Sequence, residues 1–292
     1  MVLCLGIHLG RVIALPRIRF GPAGYPNDAN GKLDEVFRIL SEGNLSALEY
    51  AATYGLRIGE KKAQKLASLA NQHDIAMSMH GAYYINLASK KEKTRKRSKA
   101  RLVKALRFAP LMGVKRIVFH PGTYGGLAPE EAFLVIRDAM REAIEEAGQE
   151  SGDAVLAPEV AGKKNMFGSP GQIIRLCQEV STTIPCIDWA HLYARTGGNI
   201  GDKDSYSQVL DIFEDALGNT FTDNMHFHVS SIIFNQNGEK AHRPLGAEWG
   251  PDILPLIELV LENGYKPTFI SETPTPIRGA LYTKILCDKL SE

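Results

Sequence analysis

Short apolar runs that stop on a polar group, each followed by a stretch of helical spacing, recur along the chain. The plainest is Ile117-Val118-Phe119-His120-Pro121-Gly122, where three apolar residues run into a histidine and Pro-Gly closes the run. A continuous apolar run with a breaker after it is the pattern of a buried parallel strand. Ile75 to His80 repeats it, ending in histidine before Gly81. Ala154 to Glu159 ends in a carboxylate, Ile184 to Asp188 in another, and Thr268 to Glu272 in a third. Met225-His226-Phe227-His228-Val229 places two histidines two residues apart, so they share one face of a strand. Leu3 to Leu9, with His8 near its end, and Leu45 to Tyr50, with Glu49, complete a set of eight strands.

Between these runs the spacing predicts helices over Lys32 to Ser41, Glu60 to His73, Lys90 to Arg107, Pro129 to Ala147, Pro170 to Val180 with Ser169 as N-cap, Ser205 to Leu217 and Asp252 to Asn263. The Gly21-Pro22-Ala23-Gly24-Tyr25-Pro26-Asn27 stretch reads as a long connection over a sheet end. Eight strands alternating with helices and no composition break predict an α/β fold, one closed (β/α)8 TIM barrel spanning residues 1–292 as a single domain.

At 44% hydrophobic and 23% charged, the composition is that of a globular protein with a full core. A formal net charge of +1 leaves any attraction to nucleic acid to local surface. The local candidate is Lys90 to Arg107, with ten Lys or Arg against the one acid Glu92. It reads equally as a solvated outer helix and as a phosphate-facing patch. The four cysteines are scattered without a CxxC pair, which favours buried free thiols over disulfides or a zinc ribbon. No basic leader and no long apolar span are evident, so a cytoplasmic protein with no membrane partner is expected.

In a barrel, strand ends far apart in sequence meet at one mouth. His80, His120, Glu159, Asp188, His228 or His226, and Glu272 would therefore converge there. Imidazoles mixed with carboxylates form a donor set for zinc, manganese or iron. Six such groups, with His191 and His242 nearby, exceed what one ion needs. A carboxylate such as Glu159 can bridge two ions, the arrangement used to hydrolyse phosphate esters.

Five segments in order carry a resemblance: His80-Gly-Ala-Tyr83-Tyr-Ile-Asn-Leu-Ala-Ser89, Phe119-His-Pro-Gly122, Pro158-Glu-Val-Ala-Gly162, Cys186-Ile-Asp-Trp-Ala-His191 and Ile270-Ser-Glu-Thr-Pro274. On these the sequence resembles the endonuclease IV family of apurinic/apyrimidinic endonucleases, zinc-dependent barrels of DNA repair within the xylose-isomerase-like superfamily. The wording of the Gly21-Pro22-Ala23-Gly24 and Gly238-to-His242 stretches is similar to the archaeal branch. The resemblance implies a first zinc held by His80, His120 and Glu159. It implies a second held by Glu159, Asp188, a strand-seven histidine and Glu272, with Glu159 and Glu272 as the catalytic carboxylates. His191 and His242 match ligands of a third zinc, Tyr83 an aromatic that lies against DNA at the lesion, and His8 a strand-one histidine close to the site.

Three departures from the family pattern stand out. Strand seven reads His226-Phe-His228-Val-Ser230 where bacterial members have His-Leu-Asn-Asp. Aligning His-x-Asn with His-x-Ser makes His228 the ligand, with His226 as the alternate. Lys240-Ala-His242 replaces an Asp-x-His, which argues against a third ion unless Glu239 substitutes. Tyr54-Gly55-Leu56-Arg57 stands where bacterial members have a longer groove-penetrating loop.

The expected activity is hydrolysis of double-stranded DNA 5′ to an abasic site by a monomer with two zinc ions. Arg17, Arg19, Arg57 and the basic segment would contact phosphates, and Tyr83 would stack in the gap. The alternative is a sugar isomerase or epimerase on the same barrel, using one Mn²⁺ or Co²⁺ between Glu159 and Glu272. A third reading is a DNA-binding protein whose metal site has degenerated.

Overall fold

The computed structural model describes residues 17–246 and 249–291. Among the described residues there are ten strands: β1 (Arg19–Pro22), β2 (Ala47–Ala51), β3 (Ala76–His80), β4 (Val114–Phe119), β5 (Val155–Pro158), β6 (Cys186–Asp188), β7 (His226–Val229), β8 (Ser231–Asn235), β9 (Gly238–Arg243) and β10 (Thr268–Ser271). The helices are α1 (Leu33–Glu42), α2 (Glu60–Gln72), α3 (Glu92–Phe108), α4 (Pro129–Ala147), α5 (Pro170–Glu179), α6 (Trp189–Thr196), α7 (Lys203–Leu217), α8 (Asn219–Thr222), α9 (Leu254–Glu262) and α10 (Pro276–Ser291).

Eight strands form a ring of parallel neighbours. β1-β10-β7-β6 is one arc and β2-β3-β4-β5 the other. Parallel bridges between Ala23 and Glu49, and between Glu159 and Cys186, join the arcs at both seams. The backbone N–H of Gly24 donates to Glu49 at 2.8 Å on one seam, and that of Val160 to Cys186 at 3.1 Å on the other. The fold is a (β/α)8 TIM barrel.

The first strand differs from the sequence expectation. Leu3 to Leu9 and His8 lie outside the described residues, and strand one of the ring is Arg19–Pro22. Its Gly-Pro end, expected as a connection, is strand because β2 passes very close. A Cβ on Gly21 would sit 2.0 Å from the Ala47 carbonyl oxygen, so only glycine fits. The breaker residue marks a close approach of two backbones.

Alternation along the strands sorts the core into two compartments. Leu48, Met77, Met79, Ile117, Phe119, Leu156, Ile187, Phe227 and Phe269 belong to the large cluster packed under the helices. The opposite face lines the barrel interior, where a small cluster of Val118, Ala157, Ile184 and Cys186 is the main apolar filling. The rest of that interior is polar: Glu49, Ser78, Asp188, His226 and His228 are all buried. Three buried cysteines, Cys177, Cys186 and Cys287, are free thiols.

The β8–β9 antiparallel hairpin leaves the ring directly after β7 and is tied to the loop after β5 by a bridge between Lys163 and Gly238. No described helix is long and apolar enough to cross a membrane.

Phe227 separates the two strand-seven histidines and is wholly buried, its ring 5.4 Å from Trp189 and 5.6 Å from Phe269. Phe227→Ala is expected to lower the unfolding free energy by about 3–5 kcal/mol, measured by urea denaturation.

Candidate metal centre

Glu159, one residue past β5, stands at the centre of the mouth with no solvent exposure. Its two oxygens face different partners. Oε2 lies 3.3 Å from His80 Nε2 and 3.2 Å from His120 Nε2. Oε1 lies 3.1 Å from His228 Nδ1 and 3.2 Å from His191 Nδ1. A buried carboxylate among four imidazoles offers one oxygen to each of two histidine pairs. At the mouth the donor atoms fall into three overlapping groups within 4.8 Å: His80, His120 and Glu159; Glu159, Asp188, His228 and Glu272; and Asp188, His191, His242 and Glu272; a fourth group, Cys186, His226 and His228, lies deeper.

Local structure explains how each group is aimed. Parallel strands of matched register end together, so His80 and the residues just past β4, β5 and β10 emerge at one level. His80 donates Nδ1–H to the Gly81 carbonyl at 2.9 Å, which leaves Nε2 for the centre. Asp188 ends β6 and caps α6, its Oδ1 accepting the His191 backbone N–H at 2.7 Å. Its Oδ2 is buried and has no hydrogen-bond partner, as an oxygen kept for an ion would be. None of these three groups contains a thiolate, a donor set suited to zinc or manganese.

His191 is oriented by the Val160 carbonyl on Nδ1 at 3.1 Å. Its Nε2 is 3.5 Å from Glu239 Oε2 on the hairpin. The approach needs Gly162, whose Cβ would meet Glu239 Oε2 at 2.6 Å. Lys240, in place of the family aspartate, is exposed. His242 reaches Glu272 Oε2 at 3.9 Å and Ser230 Oγ at 2.6 Å through its other nitrogen.

Of the two strand-seven histidines, His228 faces the centre. His226 lies a layer deeper, its Nε2 3.1 Å from Glu49 Oε2. Glu49, named in the sequence only as part of strand two, is a buried acid beneath the centre. Ser78 Oγ donates to its Oε2 at 2.8 Å, and His228 Nε2 stands 3.1 Å from its Oε1. Glu49 was legible only as an acid inside an apolar run; its partners come from two other strands, β3 and β7.

The electrostatics follow from this crowding. Burial alone would raise the Glu49 and Glu159 carboxyls, but the surrounding histidines hold both well below the usual carboxylate range. Burial opposes charge on His80, yet its hydrogen bond to Glu159 lifts it to about 9. Burial pushes His120 down to about 4 against the pull of Glu159, helped by neighbouring His191 and His80. His226 is likewise pushed down to about 4 by burial, against its bond to Glu49.

The residues expected to touch substrate divide between the two ends of the barrel. Tyr83, 63% exposed, stands beside the centre with its ring 5.7 Å from that of His80. Arg57 is exposed on the loop after β2, on the same side. Arg17 and Arg19 are not. Arg19 opens β1 at the opposite end of the barrel, where both arginines bind Asp74 at 2.6 and 2.9 Å. The expectation of phosphate contacts there is corrected: with strand one at Arg19–Pro22, Arg19 sits at the strand's start.

Comparison with known proteins matches residues 23–285 to the xylose isomerase-like TIM barrel family. The chain belongs to this family. A Methanocaldococcus jannaschii relative, described only as uncharacterized, is 33% identical over 77% of this chain and 81% of its own length. The apurinic-apyrimidinic endonuclease 1 of Schizosaccharomyces pombe is 25% identical over 65% of this chain, and a Thermoplasma volcanium protein named "Probable endonuclease 4" 30% identical over 55%. The match spans a little over half of each of these two, 56% and 55% of their lengths. Among solved structures of the xylose isomerase-like fold, endonuclease IV from Thermus thermophilus superposes with a TM-score of 0.72 at 19% identity, covering 94% of this chain and 99% of that one. A Clostridium cellulolyticum D-psicose 3-epimerase gives 0.67 at 12%, covering 94% and 100%. At these identities both show the fold alone.

Metal-free protein is expected to be most stable near neutral pH. His120 and His226 titrate lower folded than the usual 6.5, so the unfolded chain binds more protons and stability falls as pH drops from 6.5 through 4. His80 titrates higher folded, so its contribution is present below 6.5 and lost as pH rises through 9. Urea unfolding in chelator across that range measures both limbs.

Proposed function

We propose that the chain is a metal-dependent apurinic/apyrimidinic endonuclease that hydrolyses double-stranded DNA 5′ to an abasic site. The observation that carries the reading is the division of Glu159 between two donor sets, one oxygen toward His80 and His120 and the other toward His228. His80, His120 and Glu159 would hold one zinc; Glu159, Asp188, His228 and Glu272 the second. Bound there, the pair would supply activation of a water and charge stabilisation at phosphorus. His191 and His242, with Glu239, stand where a third ion would be held.

The chain's own residues supply position and charge. Tyr54, Tyr83 and Tyr84 are exposed around the mouth, with the Arg101 guanidinium 4.4 Å over the Tyr84 ring. Flat exposed aromatics offer stacking to a strand with a missing base. The basic segment divides its work. Lys99 reaches Glu142 and Arg107 reaches Glu150, ties that fix α3 against α4 and its C-terminal end. Lys90, Lys91, Lys93 and Arg97 have no carboxylate partner among the described residues. Lys90 and Lys91 line a cleft with Thr123, Tyr124 and Asn165, from the loops after β4 and β5 at the mouth. Unpaired cations at the rim suit phosphate contacts.

Sugar epimerisation on the same barrel is the second reading, favoured by Glu159 and Glu272 flanking His228 at 3.1 and 3.4 Å. It needs one ion and makes no use of the exposed tyrosines or rim lysines. Two or more zinc per purified chain is the expected metal content, and one exchangeable manganese would favour the epimerase.

Incubation with a single-lesion duplex tests the activity directly: cleavage 5′ to the lesion is expected, abolished by chelator. Glu159→Gln is expected to reduce it at least about 10⁴-fold, and robust cutting by that variant would remove the bridging role. Replacing Lys90, Lys91 and Lys93 with alanine is expected to weaken binding to all duplexes and lower the salt slope by about one per lost phosphate contact.

A further inference from the structure

The imidazole of His228 is enclosed on both edges. Nδ1 faces Glu159 Oε1 at 3.1 Å and Glu272 Oε1 at 3.4 Å, toward the mouth. Nε2 faces Glu49 Oε1 at 3.1 Å, toward the interior; neither atom makes a well-angled hydrogen bond, and Cys186 stands beside the same ring. The other oxygen of Glu49 is fully employed, taking Ser78 Oγ at 2.8 Å and His226 Nε2 at 3.1 Å. Both residues have no exposure.

A neutral imidazole has one protonated nitrogen and one lone pair, and the group beside one nitrogen decides which is which. His80 and His191 are oriented by backbone carbonyls on Nδ1 and turn the other nitrogen outward. His228 is the reverse, and no carbonyl within reach performs the task. We infer that Glu49 is the positioning residue of His228: its carboxylate faces Nε2, favours the proton there and leaves Nδ1 bare for the ion that Glu159, Asp188 and Glu272 would help to hold. Ser78 and His226 act through Glu49, occupying Oε2 so that Oε1 is left for His228 alone. The inference rests on the metal reading above and adds to it a named outer carboxylate, set on the opposite side of the ring from the ion.

The test uses the full chain with isotopically labelled histidine nitrogens, loaded with the NMR-active cadmium isotope. Cadmium coupling is expected at Nδ1 of His228, with a proton on Nε2. Glu49→Gln is expected to weaken cadmium and zinc binding about 10- to 100-fold, the usual cost of losing an outer-sphere carboxylate, and to expose the Nε2 proton to exchange. Ser78→Ala, a milder change that removes one of Glu49's bonds, is expected to move both readings the same way by less. It decides the matter with the wild-type spectrum if Glu49→Gln does not fold. Coupling at Nε2, or unchanged metal affinity in a folded Glu49→Gln chain, would overturn the role of Glu49 and leave the metal centre standing. A wild-type chain showing no coupling at any histidine would sink the metal centre as well.

Discussion

A carboxylate with no access to water must find its compensation inside the protein, and Glu159 finds it in four imidazoles, three from strands or strand ends and one, His191, from α6. Each of those rings is within 3.3 Å of a carboxylate oxygen. Such an anion cannot be buried in isolation, because desolvation would cost several kcal/mol or neutralise it. The ring of strands must close before the charges balance, and the charges balance only where the strand ends meet. Fold and site are in this sense one constraint.

That constraint extends downward. Below the mouth lies a second polar layer of Glu49, Ser78 and His226, and below it Arg116, whose guanidinium reaches only Thr268 Oγ1 at 3.4 Å. Most of the barrel's apolar side chains point outward, under the helices. Stability therefore comes chiefly from the strand–helix layer, while the interior is given over to hydrogen bonding and charge. Polar networks of this kind gain little net stability, and here Glu49 Oε1, His226 Nδ1 and His228 Nε2 are left without a hydrogen bond.

The strand endings were legible because burial on both faces gives parallel strands a run of apolar residues, which a histidine or acid interrupts visibly. His80, His120, Glu159, Asp188 and Glu272 announced themselves that way. Glu49 did not, because it sits inside β2 and points inward, and a short run does not reveal which of its alternate positions faces a polar interior. Arg19–Pro22 carries no apolar run to announce a strand, because it is held in the ring by backbone fit at Gly21. The hairpin escaped because Ser231-Ile232-Ile233-Phe234 follows β7 after a single residue, with no turn signal to mark a new strand. Whether His226 or His228 faces the centre was likewise beyond spacing, since both share a face and only depth separates them.

The hairpin has a consequence of its own. Every other donor of the centre stands on or just beyond a ring strand, or on the helix that begins there, where a one-residue slip would unseat its neighbours. Glu239 and His242 alone ride on a two-stranded arm outside the ring, attached through β7 and the bridge at Gly238. Such an arm can exchange residues without disturbing strand pairing. Lys240, where this chain departs from the endonuclease IV wording, falls on that arm, so the substitution leaves the strand pairing of the ring untouched.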